Sequence, residues 1–335
     1  MVVTSKAKIS DKGIFGFTKI LLRGAAQVMF QSSAWCGLFF LVGIFWGAYA
    51  SGTPLVAWGA LLGLLISTIT GFILNLPDDE GENGLWGFNG ILVGCALPTF
   101  LGNNIWMWLS LVLCAALTTW VRTGMNNMMK PWKINSFTFP FVASTWVFLL
   151  AAHAMNGLMN THELHHAAHD HMQHLHHLYY TGSLWDMAVY MMRGVSQVFL
   201  IDEWITGAFF LLGLLVSNRW AFLWAVVGSA LASFTAFALG ASMSHITQGL
   251  YAFSAVLTAI ALGSTFYRPC WRSALWSLLG IITTVFVQAA MNSMMPLGIA
   301  TLTAPFCLTT WIFLLPMFKL DKQTADHTSW HTRKR

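Results

Sequence analysis

The chain repeats itself. Residues 23–39, RGAAQVMFQSSAWCGLF, return at 193–209 as RGVSQVFLIDEWITGAF. MNNMM at 125–129 returns as MNSMM at 291–295, and TFPFVASTWVFL at 138–149 returns as TAPFCLTTWIFL at 303–314. The offsets are 170, 166 and 165. One spacing carried along most of a chain marks a duplicated unit, so the fold must be built from two like halves. In a membrane protein such a duplication places the solute site at the seam between the copies, near the bilayer midplane.

Composition places the chain in a membrane. Apolar residues make up 56% of it and charged residues only 9%, where a soluble domain carries about 25% charge. Mean hydropathy is +0.63. No Asp, Glu, Lys or Arg occurs from Gly24 to Pro77 or from Trp220 to Tyr267. Residues 1–13, MVVTSKAKISDKG, lack the apolar core and small-residue site of a cleaved signal peptide. The net charge of +5 gathers in the termini and short loops. That pattern suits cytoplasmic loops under the positive-inside rule and excludes nucleic acid as the partner. Cys36, Cys95, Cys114, Cys270 and Cys307 stand singly in or beside apolar runs and read as packed thiols.

Apolar segments fall at 14–31, 34–51, 55–76, 86–101, 104–121 and 137–155, and again at 185–201, 204–217, 219–240, 250–265, 273–290 and 301–318. A full span needs about 20 apolar residues. The fourth segment is short in both copies, which points to a re-entrant helix beside a solute path. Each copy then has five spans. An odd number inverts the second copy and leaves both basic termini on one side, the cytoplasmic one. The domain reading is a tail at 1–13, repeat one at 14–155, a linker at 156–184, repeat two at 185–318 and a tail at 319–335. The acidic stretch PDDEGENG at 77–84 reads as a polar connection. A shorter counterpart in copy two would account for the falling offset.

The linker region is rich in histidine. His165, His166, His169, His171, His174, His176 and His177 stand at spacings able to ligate Ni²⁺ or Zn²⁺. They would also charge as pH falls through about 6.5. A solvated loop of incidental composition is the third reading.

Pairing the copies picks out the candidate path. Gln27 matches Gln197, Val28 matches Val198, and Phe30 matches Leu200. Phe88 matches Phe253, Leu92 matches Leu257, and Thr138 matches Thr303. These are aromatics, aliphatics, amides and hydroxyls, with no carboxylate or lysine paired across the repeat. Such a path suits a small neutral polar solute and lacks the buried ionisable groups of proton and ion pathways. Phe and Leu four apart share one helical face, so two facing copies make a narrow slot between rings. Amide and hydroxyl oxygens there accept hydrogen bonds from N–H groups. The acids Asp202 and Glu203, opposite Ser32 and Ser33, read as loop or helix-cap residues.

The run LWGFNGILVG at 85–94, the TxPF motifs at 138–141 and 303–306 and the duplicated RGxxQVxx resemble the urea transporter family over nearly the whole chain. The resemblance implies an all-α integral membrane protein of two inverted repeats, each of five transmembrane helices with a half-spanning re-entrant helix. It implies a pore at the repeat interface, no cofactor, and a homotrimer in the lipid bilayer. By position it implies urea-binding sites near Gln27, Val28, Phe30, Phe88, Leu92, Gln197, Val198, Leu200, Phe253 and Leu257. It also implies a constriction with Thr138 and Thr303. The expected function is passive urea flux in a bacterial inner membrane, with the histidine-rich linker periplasmic or extracellular. A nickel or other metal-ion permease using that linker is the competing class. An enzyme is not expected, because no catalytic set is paired across the copies.

Overall fold

The structure is a computed structural model and describes residues 13–155, 183–295, 299–318 and 320. Among the described residues there are fourteen α-helices and no strand. The first seven are α1 (Ile14–Gln27), α2 (Ala34–Ala50), α3 (Pro54–Ile73), α4 (Asp78–Glu82), α5 (Phe88–Leu101), α6 (Ile105–Met129) and α7 (Phe139–Ala154). The second seven are α8 (Leu184–Ser196), α9 (Trp204–Ser217), α10 (Arg219–Ala238), α11 (Met243–Thr247), α12 (Phe253–Ile260), α13 (Trp271–Met294) and α14 (Ala304–Leu314). Long and short helices thus follow the same order in both halves.

The backbone repeats at the level of single residues. Left-handed φ angles occur at Phe30 (63°) and Leu200 (60°), at Phe137 (52°) and Leu302 (51°), and at Gly84 (81°) and Gly249 (76°). Each pair occupies matching positions of the two halves. A left-handed conformation costs a non-glycine residue about 1–2 kcal/mol. Its retention at two matched non-glycine pairs means the surrounding packing dictates it.

The acidic stretch at 77–84 is not a plain loop: it forms α4, and 242–249 forms α11 at the same place with the same length. The offset falls earlier instead. α2 runs to Ala50 and is followed by Ser51-Gly52-Thr53, whereas α9 ends at Ser217 with Asn218 alone before α10. Asp202 and Glu203 behave as helix-entry residues. Glu203 caps α9, accepting from Ile205 N (2.8 Å) and Thr206 N (3.4 Å), and Asp202 lies 3.4 Å from Arg193 Nε. Ser33 caps α2 at the matching place.

Packing is close where side chains are small. α3 lies on α5, and α10 on α12. A methyl group on Gly94 would overlap the carbonyl oxygen of Gly59, and one on Gly63 would overlap the carbonyl of Gly90. The two backbones are therefore in direct contact, the mode by which helices associate where water cannot drive them together. The halves meet along α2 and α9, where Thr206 Oγ1 donates to Gly43 O (2.8 Å) and Phe40 stacks on Phe210 (4.9 Å between centroids). Four of the five cysteines are buried, and all are free thiols.

By length and hydropathy α3, α10, α13 and the segment Ile105–Trp132 can each cross a membrane. α8 with its following turn and α9 form a pair bent by 79°. α2, α5, α7, α14 and Phe253–Thr265 are apolar but shorter than a full span. Large apolar side chains such as Trp35, Trp58, Leu113, Phe234 and Trp271 remain exposed. A soluble monomer rarely carries so much exposed apolar surface. The architecture is that of an all-helical protein compatible with a membrane.

Gly94→Val tests the backbone contact. Overpacking at such a site costs about 1–3 kcal/mol, so the variant should unfold at a lower temperature in detergent than Gly124→Val, whose site has open space. Equal melting of the two would remove the contact as a stabilising feature.

Candidate functional site

The duplicated RGxxQV motif is an anchor. Arg23 Nη1 donates to Glu82 O (2.7 Å), and Gln27 Nε2 donates to Asn83 O (2.8 Å). Both carbonyls end α4, so α1 holds the short helix that leads into α5. Arg193 repeats the first contact on Thr247 O (3.4 Å). Gln27 Oε1 is buried and has no hydrogen-bond partner, which leaves one acceptor for a solute N–H.

The centre is built by α7 and α14. Thr138 and Thr303 are the N-cap residues, each with a proline two positions on. Neither hydroxyl caps its own helix. They bond to each other instead, at 2.6 Å, both 2% exposed. Residues 165 apart in sequence thus touch across the two halves.

Reciprocal braces hold this contact. Trp146 Nε1 donates to Ala300 O and Trp311 Nε1 to Asn135 O, each at 3.0 Å. Each half therefore supplies the donor that fixes the chain entering the other half's threonine. Asn89 adds a third brace: its Oδ1 accepts from Phe141 N (3.2 Å) and its Nδ2 donates to Phe137 O (3.5 Å). In the second half Ser254 stands where Asn89 does, and its buried hydroxyl has no partner.

The remaining candidates are placed as follows. Val28, Phe88, Leu92, Val198, Phe253 and Leu257 are all buried. α5 touches the Gln197–Phe199 turn, which brings the Phe88/Leu92 helix beside Gln197 and Val198. Phe30 does not stand alone as one wall of a slot. It packs edge-on against Phe137, Phe266 and Phe306, with centroids 6.3, 5.9 and 5.8 Å away. The matching Leu200 is half-buried and carries no ring. The histidines from His165 to His177 lie outside the described residues.

Several site residues were not singled out from the sequence. Cys307 Sγ lies 3.4 Å from Thr138 Oγ1, beside the threonine pair. Phe137, Phe266 and Phe306 form the ring cluster. Arg122 lines a small recess of about 10 Å³, room for about one water and partly open to solvent, together with Leu85, Phe88, Asn126, Asn135, Ser136 and Phe137. Arg122 pairs with Glu80 at 2.8 Å and its guanidinium lies 6.0 Å from the Phe88 ring centroid. Arg122 escaped because the matching residue is Gln288, and only identical or like pairs were weighed.

Apolar helices and a buried hydroxyl contact at the meeting of two like halves define an all-helical protein compatible with a membrane. The family model for urea transporters matches residues 18–317. The chain is 29% identical over 309 residues to urea transporter 1 of Ovis aries, covering 89% of this chain and 77% of that one. It is 28% identical over 313 residues to urea transporter 1 of Rattus norvegicus, covering 92% and 79%. The chain belongs to the urea transporter family.

Trp146→Phe and Trp311→Phe each leave one carbonyl without its donor. An unmatched buried polar group costs about 1–3 kcal/mol. Each variant should melt measurably below the parent in detergent; unchanged melting in both would mean other donors reach Ala300 and Asn135.

Proposed function

We propose that this protein is a channel for passive, selective flux of urea through a narrow pore between its two halves. The observation that carries the reading is the Thr138–Thr303 contact, which joins the duplicated TxPF motifs at the centre of the molecule. Two hydroxyls that bond to each other can exchange that bond for two bonds to a passing N–H donor. The solute gives up bonds to water of the same kind as those it gains, so a neutral solute enters without a deep trap, as conduction requires. Gln27 and Gln197 accept N–H groups near the two ends. Phe88, Phe253, Leu92 and Leu257, with Val28 and Val198, form the apolar walls, and Phe30 and Leu200 make the ends unequal.

The finer architecture follows the same reading. Residues 14–155 and 185–318 are two repeats of five membrane-crossing segments, the second inverted, with the α5 and α12 regions half-spanning and re-entrant. Linker 156–184 lies on the periplasmic or extracellular side and the tails 1–13 and 319–335 on the cytoplasmic side of a bacterial inner membrane. The assembly is a homotrimer, each subunit with its own pore. The recurrence of helix order and of left-handed residues supports the duplication. Two α-helix N-termini directed at one point also disfavour a cation there, since each carries about half a positive charge.

The test is stopped-flow urea efflux from proteoliposomes, with and without a transmembrane proton gradient. Saturable flux of equal rate in both conditions is expected; flux that needs the gradient would overturn the channel reading. Thr138→Val/Thr303→Val removes two hydrogen-bonding groups worth about 1 kcal/mol each. Urea flux should fall at least about tenfold, since 1.4 kcal/mol is a factor of ten. Parental flux in a double variant of normal melting temperature would remove Thr138 and Thr303 from the path.

A further inference from the structure

We infer that Arg122 and Asn135 form a subsite that recognises the carbonyl oxygen of the permeant and rejects its cationic isosteres at the mouth of the first half. The inference rests on the pore reading above.

The recess beside Phe88 is lined by donors. Arg122 offers a guanidinium, which has five N–H donors and no acceptor. Its Nη1 is held by Glu80 at 2.8 Å, which orients the plane, while Glu80 itself is not part of the recess wall. Asn135 Nδ2 is buried and has no hydrogen-bond partner, although the Asn135 backbone carbonyl is fixed by Trp311. The amide oxygen of Asn126 is already taken by Ser136 N at 2.8 Å. What remains for a solute at this mouth is donor capacity beside a positive charge.

The second half is built differently at the same positions. Gln288 replaces Arg122, Asn292 replaces Asn126, Thr301 replaces Ser136 and Ala300 replaces Asn135. Gln288 Nε2 donates to Thr301 Oγ1 (2.6 Å) and Asn292 Oδ1 (2.9 Å), which leaves Gln288 Oε1 buried and without a partner. That mouth offers an acceptor. His245 stands where Glu80 does, so this mouth has no carboxylate–guanidinium pair.

A neutral planar diamide satisfies both mouths, since it carries one carbonyl acceptor and four N–H donors. Guanidinium has nearly the same shape, lacks the acceptor and is charged. At the first mouth it loses the bond to Asn135 and meets the like charge of Arg122. Repulsion between like charges at this range, partly buried, is weakened but not cancelled by Glu80 behind the guanidinium.

The experiment measures uptake of labelled urea and labelled guanidinium into proteoliposomes holding the full chain. The variants are Glu80→Gln/Arg122→Gln, which removes both charges together, and Asn135→Ala, which copies the residue of the second half. The charge-neutral variant is expected to admit guanidinium at least about tenfold faster than the parent and, having lost a donor to the carbonyl, to raise the half-saturating urea concentration about threefold. Asn135→Ala is expected to raise the half-saturating urea concentration about threefold and to leave guanidinium excluded. Parental guanidinium exclusion and urea saturation in both folded variants would overturn the subsite. Absence of urea flux in the parent protein would instead overturn the pore reading on which it stands.

Discussion

The hydrogen bond between Thr138 and Thr303 is the point on which the rest of the structure depends. Two helices begin at the same spot from opposite halves, and their N-cap hydroxyls serve each other instead of their own backbones. Helix starts buried in this way leave amide groups to be satisfied, because the first four N–H groups of a helix have no partner within it. The chain answers with Pro140 and Pro305, which remove an N–H each, and with Asn89, which takes up the Phe141 N–H. Trp146 and Trp311 then fasten each threonine's leading strand to the opposite half. Neither half can hold its own threonine without the other.

Outside this centre the halves diverge, and the divergence is chemical more than geometric. Backbone angles match within a few degrees at Phe30 and Leu200 and at Phe137 and Leu302. The side chains on those matched backbones do not. The first-half end has a cluster of phenylalanine rings at Phe30; the second has Leu200. Arg122 and Glu80 face Gln288 and His245 as their counterparts. Bulk is exchanged as well: Gly59 packs near Pro98 on α3 and α5, whereas in the second half Trp224 fills the space at Gly263. There α12 passes into a π-helical turn over Ala261–Thr265. Such turns often occur at functional sites. A duplicated backbone has thus been kept as a frame while side chains at matched positions took different polarity.

Much of this was legible in the sequence. Threonines before Pro-Phe, repeated 165 residues apart, marked matched positions in the two halves, and long charge-free runs announced apolar helices. Asp202 and Glu203 read as loop or helix-cap acids, and Glu203 does cap its helix. Three features were not legible. α4 and α11 are too short and polar for a hydropathy reading; Arg23, Gln27 and Arg122 hold α4 from other helices, and Arg193 holds α11. The shift in offset could not be located without knowing where α9 stops. Arg122 lies in an apolar helix with no like partner in the other copy, so pairing by similarity passed over it.

By itself the sequence determined the duplication and the apolar helical class, which are properties of composition, periodicity and repetition written along the chain, while its motifs carried the family resemblance that implied a central place for Thr138 and Thr303. Only the tertiary structure decided which groups have hydrogen bonds to spare. Gln27 keeps one acceptor, Gln288 another and Asn135 a donor because neighbours distant in sequence occupy their other atoms. A residue's capacity to bind is what remains after its neighbours have been served, and those neighbours are chosen by packing in three dimensions.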